Sequence, residues 1–191
     1  MNPFEQFHAW LEEEHSKHQL RFPMACCLST IGIDGYPNAR FVSLKEVTTE
    51  GFIVTGTLSS QKGRELEQNP TAALTFWWTT TERQVRIQGD VYMVSKTQAT
   101  QYFKERNRDA QLVSTVFDQG KKIENFDILK DTFQQQKEIL EHKTIPLPDD
   151  WNGICIRPKR IEFMDFKTSR LHERTVFEGE IGNWKSYYIQ P

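Results

Sequence analysis

Two hydrophobic periods alternate along this chain. Phe4, Phe7, Trp10 and Leu11 recur at helical spacing, with the cluster of Glu12, Glu13 and Glu14 on the other side. Asn2-Pro3 ahead of them is a capping residue followed by proline at the first helical position, so a helix is expected from Pro3. From Ala25 the texture becomes β-like. Residues 25–31 form a short β-prone run, Asp34-Gly35 signals a turn, and residues 39–45 read as the returning strand. Thr48 to Gly51 marks a second turn, and residues 52–55 a third strand. Ser59-Ser60 is expected to cap a short helix through Leu66, ended by Asn69-Pro70. Residues 71–78 and 84–94 read as two longer strands, too rich in β-formers for surface helices.

Helical spacing returns at Ser95-Lys96-Thr97-Gln98, a capping box opening a helix that carries Tyr102, Phe103 and Arg106. Tyr102 and Arg106, four apart, are expected on one face of it. Asn125 is placed to cap a longer helix with Phe126, Leu129, Phe133 and Leu140 on one stripe, ended by Pro146 and Pro148. Short strands follow at 153–157 and 160–166, then a pair around Arg174 and Trp184. The short turns imply antiparallel pairing. The fold class read from this order is mainly β with α (α+β). It is a closed or split antiparallel β-barrel with helices packed outside, not a doubly wound parallel sheet. With no repeat or low-complexity linker, residues 1–191 read as a single domain.

Composition narrows the function classes. Thirteen Phe and five Trp supply bulky core candidates. A net charge of −2 gives no electrostatic reason to expect nucleic acid as a partner. No apolar run reaches membrane-spanning length, and the acidic N-terminal stretch lacks the layout of a signal peptide. Cys26, Cys27 and Cys155 are odd in number, and the first two point to opposite faces of a strand. Inert thiols in a reduced, cytoplasmic protein are expected.

Chemistry concentrates in Arg170-Leu171-His172-Glu173-Arg174. If this stretch is extended, Arg170, His172 and Arg174 share a face and repel one another unless an anion sits among them. A salt-bridged strand edge, with Glu173 as the neutralising group, is the plain alternative. Elsewhere the plain readings hold for single residues. Lys45 at a strand end is a solvated lysine, Arg86 a polar strand face, Phe103 a core aromatic, and Trp77-Trp78 core and interface packing. Trp184 reads the same way, close to a contact between copies. His15 and His18 are one helical turn apart, but with no third ligand nearby no metal site is expected. Cys155 has no His partner and reads as core. No Ser-His-Asp set, phosphate loop or dinucleotide fingerprint is present.

Four separated segments, taken in order, carry a family resemblance. They are Arg40-Phe41-Val42-Ser43-Leu44-Lys45; Lys62-Gly63-Arg64-Glu65-Leu66 with Asn69-Pro70; Arg83-Gln84-Val85-Arg86-Ile87-Gln88-Gly89; and Ile161-Glu162-Phe163 running on to Arg174. Tyr102-Phe103 with Arg106, and Trp151-Asn152-Gly153, add to them. The set resembles the pyridoxamine (pyridoxine) 5′-phosphate oxidase family. The resemblance implies an FMN-binding split-barrel homodimer with FMN at the subunit interface and a C-terminal dimerisation region at about 151–191. It implies oxidation of pyridoxine or pyridoxamine 5′-phosphate to pyridoxal 5′-phosphate. Hydride passes to the flavin and dioxygen is the final acceptor, giving peroxide. Positions matching FMN contacts are Arg40, Phe41, Val42, Ser43, Thr55, Gly56, Gln61, Lys62, Gln84, Gln119, Met164 and Arg174. Lys45, Tyr102 and Arg106 match the grip on substrate phosphate. Arg170 and His172 match residues over the substrate ring, where they position it and assist proton removal.

The chain departs from the family pattern at four matched positions. Gln61 stands for an Arg, Gly120 for a Ser, Met164 for a flavin-side Trp, and Ala110 for a Ser at the substrate phosphate. Two rivals follow: a paralogous FMN oxidase of another reduced aromatic, such as a dihydrophenazine, and a non-catalytic flavin- or pyridoxal-phosphate-binding protein.

Overall fold

The computed structural model describes residues 2–17 and 22–191. Helix α1 (Pro3–Lys17) leads into β1 (Ala25–Ile31), β2 (Pro37–Thr48) and β3 (Gly51–Thr57). Helix α2 (Gln61–Gln68) precedes β4 (Thr71–Trp78) and β5 (Arg83–Met93). Three helices follow, α3 (Lys96–Lys104), α4 (Arg108–Val116) and α5 (Phe126–Ile139), then β6 (Trp151–Asp165), β7 (Glu173–Glu180) and β8 (Asn183–Tyr188). The strands form one antiparallel sheet in the order β3-β2-β1-β4-β5-β6-β7-β8. A further β3–β6 pairing closes the first six into a barrel. The expected mainly-β barrel with outer helices is the observed class.

Alternation builds the core. Leu28, Leu74, Ile87, Ile161 and Phe163 point inward and are fully or almost fully buried. Helix α1 lays Phe7 against them, its ring 5.0 Å from both Phe52 and Phe76. A second cluster forms where α3 and α4 pack on β6, around Phe103, Leu112, Ile145 and Trp151. Cys26 and Cys155 are buried and Cys27 half-buried, so the paired thiols face opposite ways. Burial pushes the Cys26 thiol up to about 12, and Cys155 is likewise raised. No helix among the described residues is long and apolar enough to cross a membrane.

Five local expectations need correction. The two strands expected at 153–157 and 160–166 are one long strand, β6, which passes Pro158 at a bulge where Gln88 and Gly89 change register. Helix α4 was not expected: Asn107 caps it by accepting from Ala110 N at 2.8 Å, yet it buries only Leu112. Arg106 lies past the end of α3, in the bend before α4, so it does not share a helix face with Tyr102. Arg170 has φ +66 and sits in a turn, and β7 begins only at Glu173, so Arg170, His172 and Arg174 are not one strand face. Elsewhere Ser95 accepts from Gln98 N, but the Gln98 side chain bonds Tyr102 instead of closing the capping box. His18 lies outside the described residues; His15 Nε2 is 3.0 Å from Pro23 O.

Glu14 ties α1 to the barrel. Its fully buried carboxylate accepts from Thr80 N at 3.0 Å and Thr81 N at 2.8 Å, in the β4–β5 turn. Burial by itself would raise its pKa, but the hydrogen bonds from Thr80 and Thr81 reverse that and hold it below 4.5. A depressed folded-state pKa stabilises the fold above the unfolded value, and that stabilisation is lost as pH falls through the folded value. Glu14→Gln is therefore expected to lower the melting temperature at neutral pH. It is also expected to make the melting temperature fall less steeply between about pH 5 and pH 3, measured by thermal melts across pH.

Candidate functional site

A cleft of about 350 Å³ opens between β2, β3 and α4. It is lined by Phe41, Val42, Ser43, Thr55, Gly56, Thr57, Lys62, Arg106, Val113, Ser114, Phe117 and Gln119, with no carboxylate among them. Helix α2 sends Lys62 into it almost fully buried, where Nζ donates to Ser60 Oγ at 3.0 Å and Gln119 Oε1 at 2.9 Å. Burial lowers the Lys62 pKa, and the nearby Arg40 and Arg106 lower it further. Burial also lowers that of Arg106. Arg106 lies 5.3 Å over the Trp151 ring, donates from Nη2 to Ala110 O and Ser114 Oγ, and leaves a buried Nε without a partner. A Cβ at residue 56 would come within 3.0 Å of Lys62 Cε, which explains a glycine there. Two half-desolvated cations with no counter-charge on the walls form a receptor for an anion such as a phosphate monoester.

Arg40 and Gln61 turn away from this cleft, toward Glu65 of α2. The buried Glu65 carboxylate accepts from Thr30 Oγ1, Asn38 Nδ2 at 2.6 Å, Gln61 Nε2 at 2.9 Å and Arg40 Nη2 at 2.9 Å. Four donors around one buried carboxylate satisfy it and lock α2 to the mouth of the barrel. Arg40 also reaches Thr30 Oγ1 and Leu28 O. Its charge still faces Lys62 and, after burial, helps to lower the Lys62 pKa.

The remaining residues form two further groups. At the end of α3, Lys45 Nζ lies 2.6 Å from Glu105 Oε2 and 5.4 Å over the Tyr102 ring. On the outer face of the sheet, register aligns Trp77, Gln84, Met164 and Arg174 in one row across β4 to β7. Gln84 Nε2 approaches Met164 Sδ at 3.9 Å. Arg174 grips the buried Glu162 with Nε at 2.9 Å and Nη2 at 2.7 Å, and Arg86 bonds the other oxygen. Next to this row His172 Nδ1 accepts from Lys167 N at 3.1 Å, so Nε2 is its free edge. Its ring packs on Phe166 at 4.7 Å, and Phe166 on the half-exposed Trp77 at 4.8 Å. Arg170 is exposed at the turn beside them.

The structure thus brings Phe41, Val42, Ser43, Thr55, Gly56, Lys62, Arg106 and Gln119 together, and holds Gln84, Met164, Arg174 and His172 in a second place. Reading the sequence missed Thr57, Ser114 and Phe117 in the cleft, Glu65 and Glu162 as carboxylate hubs, and the Phe166 and Lys167 supports of His172. Ser114 lies one turn beyond Ala110, a signal available from spacing alone.

The chain is similar to known proteins in sequence and in fold. Residues 12–139 match a family model described as pyridoxamine 5′-phosphate oxidase. Residues 151–191 match one described as the pyridoxine 5′-phosphate oxidase C-terminal dimerisation region. A pyridoxine/pyridoxamine 5′-phosphate oxidase of Nostoc punctiforme is 40% identical over 192 residues, covering 100% of this chain and 89% of the relative. One from Leptospira biflexa is 37% identical over 190 residues, with the same coverage of 100% and 89%. Among solved structures, PhzG of Burkholderia lata, in complex with tetrahydrophenazine-1-carboxylic acid, superposes with TM-score 0.92 at 23% identity, covering 100% and 93% of the two chains. A pyridoxamine 5′-phosphate oxidase-related, FMN-binding protein of Nostoc punctiforme superposes with TM-score 0.81 at 16% identity, covering 100% and 98%. These two structures establish the fold.

Proposed function

The chain belongs to the pyridoxamine 5′-phosphate oxidase family and is an oxidoreductase of that type; within it, we propose that it uses FMN and dioxygen to oxidise pyridoxine or pyridoxamine 5′-phosphate to pyridoxal 5′-phosphate, releasing hydrogen peroxide. The observation that carries this reading is the carboxylate-free cleft with Lys62 buried and Arg106 half-buried in it. A phosphate monoester matches its size, charge and donor set. FMN, when bound, supplies the hydride acceptor and the route of electrons to dioxygen. Lys62 and Gln119, beside the strand from Arg40 to Ser43 and the Thr55-Gly56 pair, would hold the cofactor phosphate, with Gln61 next to them on α2. Gln84, Met164 and Arg174 would border its ring. Lys45, Tyr102 and Arg106 would take the substrate phosphate, and Arg170 and His172 would orient the substrate ring. His172 would assist proton removal through its free Nε2 edge.

The same geometry supports a homodimer. Thr55 beside the cleft pairs with Gly153 at one end of β6, and Arg174 pairs with Met164 near the other. The intervening strand measures roughly 35 Å at ~3.3 Å per residue, too far for one flavin to touch both groups in one chain. A second copy would bring its Arg170 to Arg174 segment to this chain's cleft, in accord with the matched dimerisation region. The whole of residues 1–191 is proposed to act as one domain, since β6 is shared between the barrel and the C-terminal strands. Three thiols without a disulfide fit the reducing cytoplasm.

Oxygen uptake tests the reading. Protein loaded with FMN is expected to consume oxygen with pyridoxamine 5′-phosphate and to form the aldehyde. Bound FMN with no uptake would overturn it. Uptake only with a dihydrophenazine would favour the paralogous oxidase.

A further inference from the structure

We propose that Glu46 and Glu105 are specificity-determining residues that compete with the substrate's phosphate for Tyr102 and Lys45. The proposal rests on the reading that Lys45, Tyr102 and Arg106 receive that phosphate. Its origin is a β-bulge. Leu44 pairs with Val54 and Glu46 with Ile53, so Lys45 is an extra residue on β2. An added residue breaks the alternation of faces. Leu44 is buried and Val47 packs against the same core, while Lys45 and Glu46 between them both turn outward. The bulge thus delivers a cation and a carboxylate, side by side, to the end of α3.

There each meets a partner. Glu105 Oε2 takes the Lys45 ammonium at 2.6 Å, and its other oxygen accepts from Gln101 Nε2 at 2.9 Å. The Tyr102 hydroxyl donates to Glu46 Oε2 and accepts from Gln98 Nε2 at 2.7 Å. A phenol has one proton to donate, so Tyr102 cannot serve Glu46 and a phosphate oxygen together. Arg106, the third member of the grip, makes no bond to either carboxylate and points into the Lys62 cleft. Glu105 neutralises the Lys45 ammonium and Glu46 adds a second carboxylate at Tyr102, so the grip, Arg106 included, carries no net positive charge before any phosphate arrives. A phosphate ester must displace Glu46 from the single Tyr102 proton and share the three donors of the Lys45 ammonium with Glu105, and so lies beside both carboxylates. The phosphate therefore adds less to affinity here than a grip without acids provides, and these two residues set how strongly the ester is preferred over its unphosphorylated counterpart.

The test compares wild type with Glu46→Gln, Glu105→Gln and the double variant, all loaded with FMN. Anaerobic calorimetry on protein whose FMN has been reduced beforehand, so that no turnover follows binding, gives dissociation constants for pyridoxamine 5′-phosphate and for pyridoxamine, and steady-state rates give KM for each. The double variant is expected to bind the ester about tenfold tighter or better, with a matching fall in its KM. Pyridoxamine binding is expected to change by no more than about twofold, since it lacks the group that meets the acids. Ester affinity that is unchanged or weaker in the double variant overturns the proposal. Lys45→Met separates the two levels: it is expected to weaken ester binding. If it does not, the phosphate assignment itself falls, whereas weakening by Lys45→Met with no gain in the double variant removes only the competition.

Discussion

Glu162→Ala is expected to destabilise the fold by about 3 kcal/mol, and so to lower the melting temperature by roughly 6–12 °C in a chain of this size. Glu162 is almost fully buried, yet three guanidinium groups converge on it: Arg174 in two hydrogen bonds, Arg86 on the other oxygen, and Arg160 at 3.6 Å. Removing the carboxylate leaves those cations facing one another across β5, β6 and β7. Burial by itself would raise the Glu162 pKa, but hydrogen bonds from Arg86 and Arg174 hold it below 4.5. The partnership is therefore charged at neutral pH and lost in acid. A contrast is available in Glu178, which bonds Arg160 from a half-exposed position at 3.2 Å. Glu178→Ala is expected to change stability by less than about 1 kcal/mol, because an exposed pair contributes little. Thermal melts of both variants check the claim. Comparable losses would show that the three-arginine hub is not special. Because Arg174 is the proposed flavin contact held by this carboxylate, Glu162→Ala is also expected to loosen FMN.

Lys62→Met is expected to weaken FMN binding between about tenfold and about a hundredfold, the value of one charged hydrogen bond. The isosteric apolar stem keeps the packing against Gly56 while removing the ammonium. Burial and two arginines lower the Lys62 pKa in the free protein. An anion in the cleft offsets those effects and raises it again, so binding takes up a proton once pH exceeds the lowered value. FMN affinity of the wild type is therefore expected to fall on the alkaline side earlier than an ordinary lysine would allow, and Lys62→Met is expected to lose that limb. Titration of apoprotein by flavin fluorescence quenching across pH measures both effects. An unaltered affinity in Lys62→Met would remove the cleft from the cofactor site.

Sequence patterning revealed most of the barrel and less of the site, for physical reasons. Strands β1, β4 and β5 were legible because one face of each is buried, which forces alternation, β3 because it is a short apolar run buried on both faces, and all because Asp34-Gly35 and Asn69-Pro70 punctuate them. Helix α4 escaped because it is short, its inward stripe is only Leu112 and Val116, its Val and Thr residues are weak helix formers, and one capping Asn does most of the signalling. The turn at Arg170 escaped because arginine gives no hint of a left-handed backbone, and the spacing of Arg170, His172 and Arg174 mimics the alternation of a strand. The residue list came from resemblance and spacing, but its division into two places on one chain depends on strand register, as Thr55 opposite Gly153 and Arg174 opposite Met164 show. Burial of Glu65 and Glu162 likewise depends on which strands meet, and no local pattern in Arg64-Glu65-Leu66 or Ile161-Glu162-Phe163 reveals it.

The most direct test of the central claim is a single turnover without oxygen. Protein reconstituted with one equivalent of FMN is mixed anaerobically with pyridoxamine 5′-phosphate, and the visible absorbance of the flavin is followed. The flavin is expected to bleach with formation of one equivalent of pyridoxal 5′-phosphate, and to recover its colour when air is admitted. A flavin that is bound but stays oxidised in the presence of saturating ester would contradict the account.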